Sequence, residues 1–147
     1  MKRRVFVSSL LLLAMPAVSL AGAFEDFFVA IKFDDEYRLK SLLLRGMDPN
    51  TVNEQGFPAI VFGMMQDSPN AVRVLLSSRK LNPDQVDRRG ETPLMVACTL
   101  NKPEWVAALL EKGAKQGGDG QWTALHNAAA SGSLESIELL AKSGVKI

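Results

Sequence analysis

Between Phe27 and Leu140 the apolar residues fall in short runs with spacings of three and four, and each run is closed by Gly, Pro, Asp or Asn. Leu39, Leu42 and Leu43 form one such stripe. Val72, Leu75 and Leu76 form a second, Val106, Leu109 and Leu110 a third, and Leu134, Ile137, Leu139 and Leu140 a fourth. Residues three and four apart share one face of a helix, so each stripe predicts a short amphipathic helix with one buried side. The start signals agree. Asp35 is placed to cap a helix over 36–44, preceded by another over about 26–32. Ser68-Pro69 and Pro103 mark two more starts, because proline in the first helical turn sacrifices only an N–H that would have had no partner. Gly46 followed by Asp48-Pro49-Asn50 is a helix end running into a turn.

The stripes belong to a longer period. Gly90-Glu91-Thr92-Pro93-Leu94-Met95-Val96-Ala97-Cys98 is followed nineteen residues after its Leu by Gly113-Ala114. Gly56-Phe57-Pro58-Ala59-Ile60 repeats this opening 34 positions earlier. Trp122-Thr123-Ala124-Leu125-His126 repeats it 31 positions later, and Leu125 again has a glycine, Gly144, nineteen residues on. A degenerate first copy sets Phe27 at the Leu position and Gly46 at the same distance. Self-similarity at this period defines stacked units, none of which can bury its apolar faces alone; about three are needed for stability.

The copies resemble the ankyrin repeat, whose pattern is D-x-x-G-x-T-P-L-H, a small-residue A-A and a later L-L-x-x-G-A. The third copy matches with Asp87, Gly90, Thr92-Pro93-Leu94, Ala97, Leu109-Leu110 and Gly113-Ala114. The fourth matches with Thr123, Leu125-His126, Ala128-Ala129, Gly132, Leu139-Leu140 and Gly144. In the second copy Pro58-Ala59 replaces Thr-Pro and a longer connection through Arg79 to Pro83 replaces Gly-Ala; the first copy lacks the opening. The resemblance implies an all-α solenoid of helix-turn-helix units with short β-turn fingers. The expected units are 24–52, 53–86, 87–117 and 118–147. The charged Glu25, Asp26, Lys32, Asp34 and Asp35 suit a first, capping unit. Ser131, Ser133, Glu135, Ser136, Glu138 and Lys142 are expected to give the last helix pair a solvent face. The Gly117-Gly118-Asp119-Gly120 connection is shorter than the pattern requires, which predicts a flexible or differently angled finger.

Residues 1–23 read as a secretory signal peptide: Lys2, Arg3 and Arg4, an apolar run from Val5 to Val18 broken by Pro16, then Ala21-Gly22-Ala23. The run is too short and interrupted for a membrane span, which needs roughly 20 apolar residues. Removal leaves a chain of single-domain size, expected to be exported to a periplasm and to have no membrane attachment afterwards. It also lowers Lys+Arg from 17 to 14 against 16 Asp+Glu, a net charge of −2. Near-neutrality without a basic block argues against nucleic acid as a partner. Cys98, the single cysteine, sits at a small-residue helix position and reads as a buried, inert thiol.

No catalytic constellation emerges. His126 is the only histidine, and the resemblance gives it a structural place, bonded to Thr123 and neighbouring backbone, which predicts a buried ring. Gly117-Gly118-Asp119-Gly120 lacks the Lys-Ser/Thr and preceding strand of a phosphate loop. Asp34-Asp35-Glu36 and Asp84 to Asp87 lack the alternating oxygens of a calcium loop and read as solvated turns. We therefore expect no enzyme, no metal and no cofactor.

Binding is better supported. The resemblance implies a concave face made of finger tips and the ends of the first helices. By register the tips are Glu54, Gln55 and Phe57, then Arg88, Arg89 and Glu91, then Trp122; the apolar helix-end residues are Phe33, Met65 and Leu100. Aromatics and Met at the centre with charge at the rim are interface chemistry. Trp105 lies on a second helix and is expected to pack between helices. The expectation is a monomer that binds another protein. The resemblance implies two bacterial settings for such a partner: accessories to periplasmic or haem-containing catalases, and immunity proteins that occupy a toxic exported enzyme. The alternative is a haem or small-ligand carrier, using His126, Met64, Met65 or Met95 as an accessible ligand.

Overall fold

The computed structural model describes residues 22–117 and 122–144. It contains helix α1 over residues 22–32, then α2 (Glu36–Leu44), α3 (Ala59–Met65), α4 (Pro69–Ser77), α5 (Pro93–Thr99), α6 (Pro103–Glu111), α7 (Ala124–Ala130) and α8 (Leu134–Lys142). No strand is present among the described residues; an isolated antiparallel bridge pairs Val52 with Pro58. The protein is an all-α solenoid of antiparallel helix pairs joined by fingers. Odd-numbered helices stack on one another, α5 lying against both α3 and α7, while α2 packs on α4 and α6 on α8. The leader expected over 1–23 lies outside the described residues apart from Gly22 and Ala23, which begin α1. The glycine-rich connection likewise falls outside them beyond Gly117. No described helix is long and apolar enough to cross a membrane.

Each inner helix ends in the same way, and the sequence explains it. Asp34, Asp67, Asn101 and Gly132 all have positive φ, between 53° and 71°. Short polar residues and glycine are the types that tolerate this left-handed conformation. There the Asp34 N–H donates to Ile31 O and the Asp35 N–H to Ala30 O, at 3.1 and 2.8 Å. Asp67/Ser68, Asn101/Lys102 and Gly132/Ser133 repeat the pair of bonds. Carbonyls that the helix end would orphan are thus satisfied, and the chain reverses into the outer helix.

The core runs continuously through the stack. Phe27, Ile31, Leu39, Ile60, Leu75, Leu94, Leu109 and Leu140 are essentially inaccessible to solvent. Gly63 on α3 allows close approach: a Cβ there would meet Val72 Cγ2 at 3.2 Å and Ile31 Cγ2 at 3.3 Å. Trp105, on α6, is buried in the core.

Three readings of the pattern are corrected. Leu134 does not join the apolar stripe of α8; it is 76% exposed, because it occupies the first turn after the Ser133 cap. Ser133 and Ser136 do not form a solvent face but are buried, with the Ser133 hydroxyl donating to Ser136 Oγ at 2.7 Å and accepting the Ser136 N–H. Asp87 is not a solvated turn residue, since its carboxylate has no exposed surface.

Candidate functional site

The two described fingers are built by one device. Asn53 Oδ1 accepts the N–H groups of Gln55 and Phe57 at 3.0 and 2.9 Å. At the equivalent place Asp87 Oδ1 accepts those of Arg89 and Glu91 at 2.7 and 3.1 Å. Side chains of this length bond to backbone two residues on and so fix tight turns. Gly56 and Gly90 complete the turns at φ of 84° and 79°. The fingers then lean on each other: the Arg88 N–H donates to Gly56 O at 3.2 Å, and its guanidinium reaches Gln55 O at the same distance.

This construction changes the standing of several expected contact residues. Glu54 and Gln55 are exposed at the tip. Arg88 and Arg89 are exposed but engaged. Arg89 pairs with Asp87 at 2.9 Å and with Glu91 at 2.7 Å, and its guanidinium lies 5.4 Å from the centre of the Phe57 ring. Phe57 itself is half-buried against the core rather than left open, because the next finger and Arg89 cover it.

The helix-end positions are open. Phe33 is 72% exposed, with Met65 and Leu100 about 40% exposed. Trp122 is exposed yet anchored. Its indole N–H donates to Asn127 Oδ1, and its ring stacks on His126 with centroids 4.9 Å apart and planes 22° from parallel. Asn127 in turn donates to Met95 O at 3.1 Å and Thr99 Oγ1 at 3.0 Å, tying α7 to α5.

Beside the finger tip the structure forms a groove that the sequence pattern did not reveal. It measures about 560 Å³ and is lined by Phe24, Phe28 and Phe62, by Glu54, Gln55 and Asn53 of the finger, and by Glu25, Val29, Lys32 and Gln66. The rings of Phe24 and Phe28 meet edge-on at 5.2 Å, and those of Phe28 and Phe62 at 5.7 Å. Edge-to-face aromatic pairs lock such a wall at low entropic cost to a ligand. The available signal was Phe24 and Phe28, four apart on α1 and on a different face from buried Phe27 and Ile31.

The groups considered for chemistry fall elsewhere. Cys98 has no accessible surface, and burial pushes its thiol up to about 12. A proton held that firmly leaves no thiolate at neutral pH. His126 is exposed, contrary to the buried ring expected of its register, because no further unit covers α7 on that side among the described residues. Its Nδ1 accepts the Thr123 N–H at 3.1 Å and lies 2.8 Å from the Thr123 hydroxyl. Of the candidate haem ligands, Met64 and Met95 lie in the core, and none of these residues lines the aromatic groove. No group of three His, Cys, Asp or Glu residues capable of holding a metal occurs among the described residues.

Comparison with known proteins agrees with this geometry. The family described as Ankyrin repeats (3 copies) matches residues 27–118 and 65–147. The chain belongs to the ankyrin-repeat family, which generally serves as a non-enzymatic scaffold for binding other proteins. It is also similar to the human transient receptor potential cation channel subfamily A member 1, with 32% identity over 108 residues, 72% of this chain. The matched part is 10% of that channel's length.

Proposed function

We propose that this chain holds a partner protein against its inner helices and fingers, without catalysing a reaction. The observation that carries the reading is the groove of Phe24, Phe28 and Phe62 beside Glu54 and Gln55, continued along the inner helix ends by exposed Phe33, Met65 and Leu100. Apolar anchors flanked by charge are how interface centres and rims divide their work. Trp122 extends the surface to the last unit, while Arg88, Arg89 and Glu91 orient the partner and tune the rate of encounter. Four units, over 24–52, 53–86, 87–117 and 118–147, suit the four helix pairs.

The basic, apolar and small-residue order of residues 1–23 supports export, and we place the mature chain as a monomer in a periplasm. An exported enzyme, either a catalase or a toxic enzyme held in check, fits such a location. The test is affinity purification from that compartment of the organism, with the wild type beside a Phe33→Ala/Met65→Ala variant, mass spectrometry and a visible spectrum of each eluate. One protein recovered by the wild type and depleted with the variant supports the reading. Equal recovery overturns the assigned surface, and a Soret band without a protein partner would put a haem carrier in its place.

A further inference from the structure

Between the C-terminal ends of α2 and α4 lies a second groove of about 480 Å³ that shares no lining residue with the first, within the roughly 300–1,000 Å³ typical of clefts that seat side chains or small ligands. Its floor is apolar. Val74 is buried, Leu43 and Met47 are half-buried, and Leu44 projects at the rim with 88% of its surface exposed. A leucine so exposed at the mouth of an apolar cleft gains nothing from the fold of this chain.

The charged residues that line the groove have one sign. Lys40, Arg79 and Lys80 line it, and among the described residues no carboxylate does. Lys40 shares Glu36 with Arg73, at 3.6 and 2.7 Å, whereas Arg79 and Lys80 form no ion pair among the described residues. Lys112 adds a further cation at the edge, where its ammonium donates to Ser78 O at 2.9 Å. The carbonyl ends of α2 and α4 oppose this field with about half a charge each, fading within one turn, so the full side-chain charges prevail.

We propose that this outer groove docks an acidic amphipathic peptide segment of a partner, with two neighbouring apolar side chains entering beside Leu44 and flanking Asp or Glu residues meeting Arg79 and Lys80. Charge complementarity selects the acidic class. The recess between two helices selects a peptide, since a flat bilayer would touch exposed Leu44 but not buried Val74. The site shares no residue with the inner face.

Phage display of random peptides on the wild-type chain, with counter-selection on Leu44→Asp and on Arg79→Glu/Lys80→Glu, tests this. Enriched sequences are expected to carry paired apolar residues flanked by Asp or Glu. The synthesised consensus, followed by fluorescence anisotropy, is expected to bind at least about tenfold more weakly to either variant and to weaken with added salt. Circular dichroism establishes that the variants fold, and a Phe33→Ala/Met65→Ala chain is expected to bind the peptide normally. An absence of enrichment, a consensus without acidic residues, or equal binding to the variants would overturn the proposal. So would a chain that ignores peptides but binds phosphatidylglycerol vesicles through Leu44.

Discussion

Asp34 accepts the backbone N–H of Ala71 at 2.7 Å, so the first unit caps a helix that belongs to the second. Ser68 stands at the N-cap of α4 but makes no side-chain cap bond there, and Asp34 supplies the missing acceptor from a neighbouring unit. The same carboxylate accepts the Asn70 amide at 2.9 Å. Replacing Asp34 with Ala is expected to cost about 1–2 kcal/mol, the range for a lost helix cap. Asp34→Asn keeps an acceptor and tolerates positive φ, so urea unfolding is expected to show a smaller loss. Equal losses would contradict the cap as a simple acceptor, since Asn preserves both an acceptor and the left-handed turn and gives up only the negative charge.

Much of this architecture is legible in the residues themselves. The spacing of Leu39 and Leu42, the Asp35 cap and the prolines at 69 and 103 locate helices because each acts through local backbone geometry. The joint between units was harder to see. Asp34 and Asp87 look like solvated turn residues, and only folding brings the N–H groups of α4 to one and a closing finger to the other. For the same reason Phe57 reads as open and Phe24 goes unnoticed: cover comes from the neighbouring finger and from Arg89, not from adjacent sequence. His126 errs in the opposite direction, since a register common in interior units is exposed where no further unit covers α7 among the described residues.

Trp122 and Phe33 are expected to separate under mutation although both are exposed. Phe33→Ala removes little from the fold and is expected to shift stability by no more than about 0.5 kcal/mol. Trp122→Ala leaves Asn127 Oδ1 without its donor and removes the stacked His126 contact, a loss of about 1 kcal/mol or more. Chemical denaturation of the two variants checks the difference.

Leu94→Ala or Leu109→Ala opens a cavity in the continuous core and is expected to destabilise by about 2–5 kcal/mol. Leu44→Ala, at the exposed rim of the outer groove, is expected to stay within about 0.5 kcal/mol of the wild type. Similar melting temperatures for Leu94→Ala and Leu44→Ala would refute the assigned core.

Cys98 provides a chemical probe of the fold. Its thiol is raised by burial from 9.0 to about 12, so the folded state favours the protonated form. The resulting stability is complete below pH 9 and declines as pH rises toward 12, because the unfolded chain releases its proton first. A chromogenic thiol reagent is expected to be inert toward the folded protein at neutral pH and to react fully once urea unfolds it. Rapid labelling of the native chain would show that α5 is open to solvent.

Hydrogen exchange of the chain, free and with its captured partner, tests most directly whether the inner face is the binding surface. Added protection is expected in α1, α3 and the finger over 53–57, whether or not the outer helices α2, α4 and α6 also gain some. Protection confined to those outer helices would contradict it.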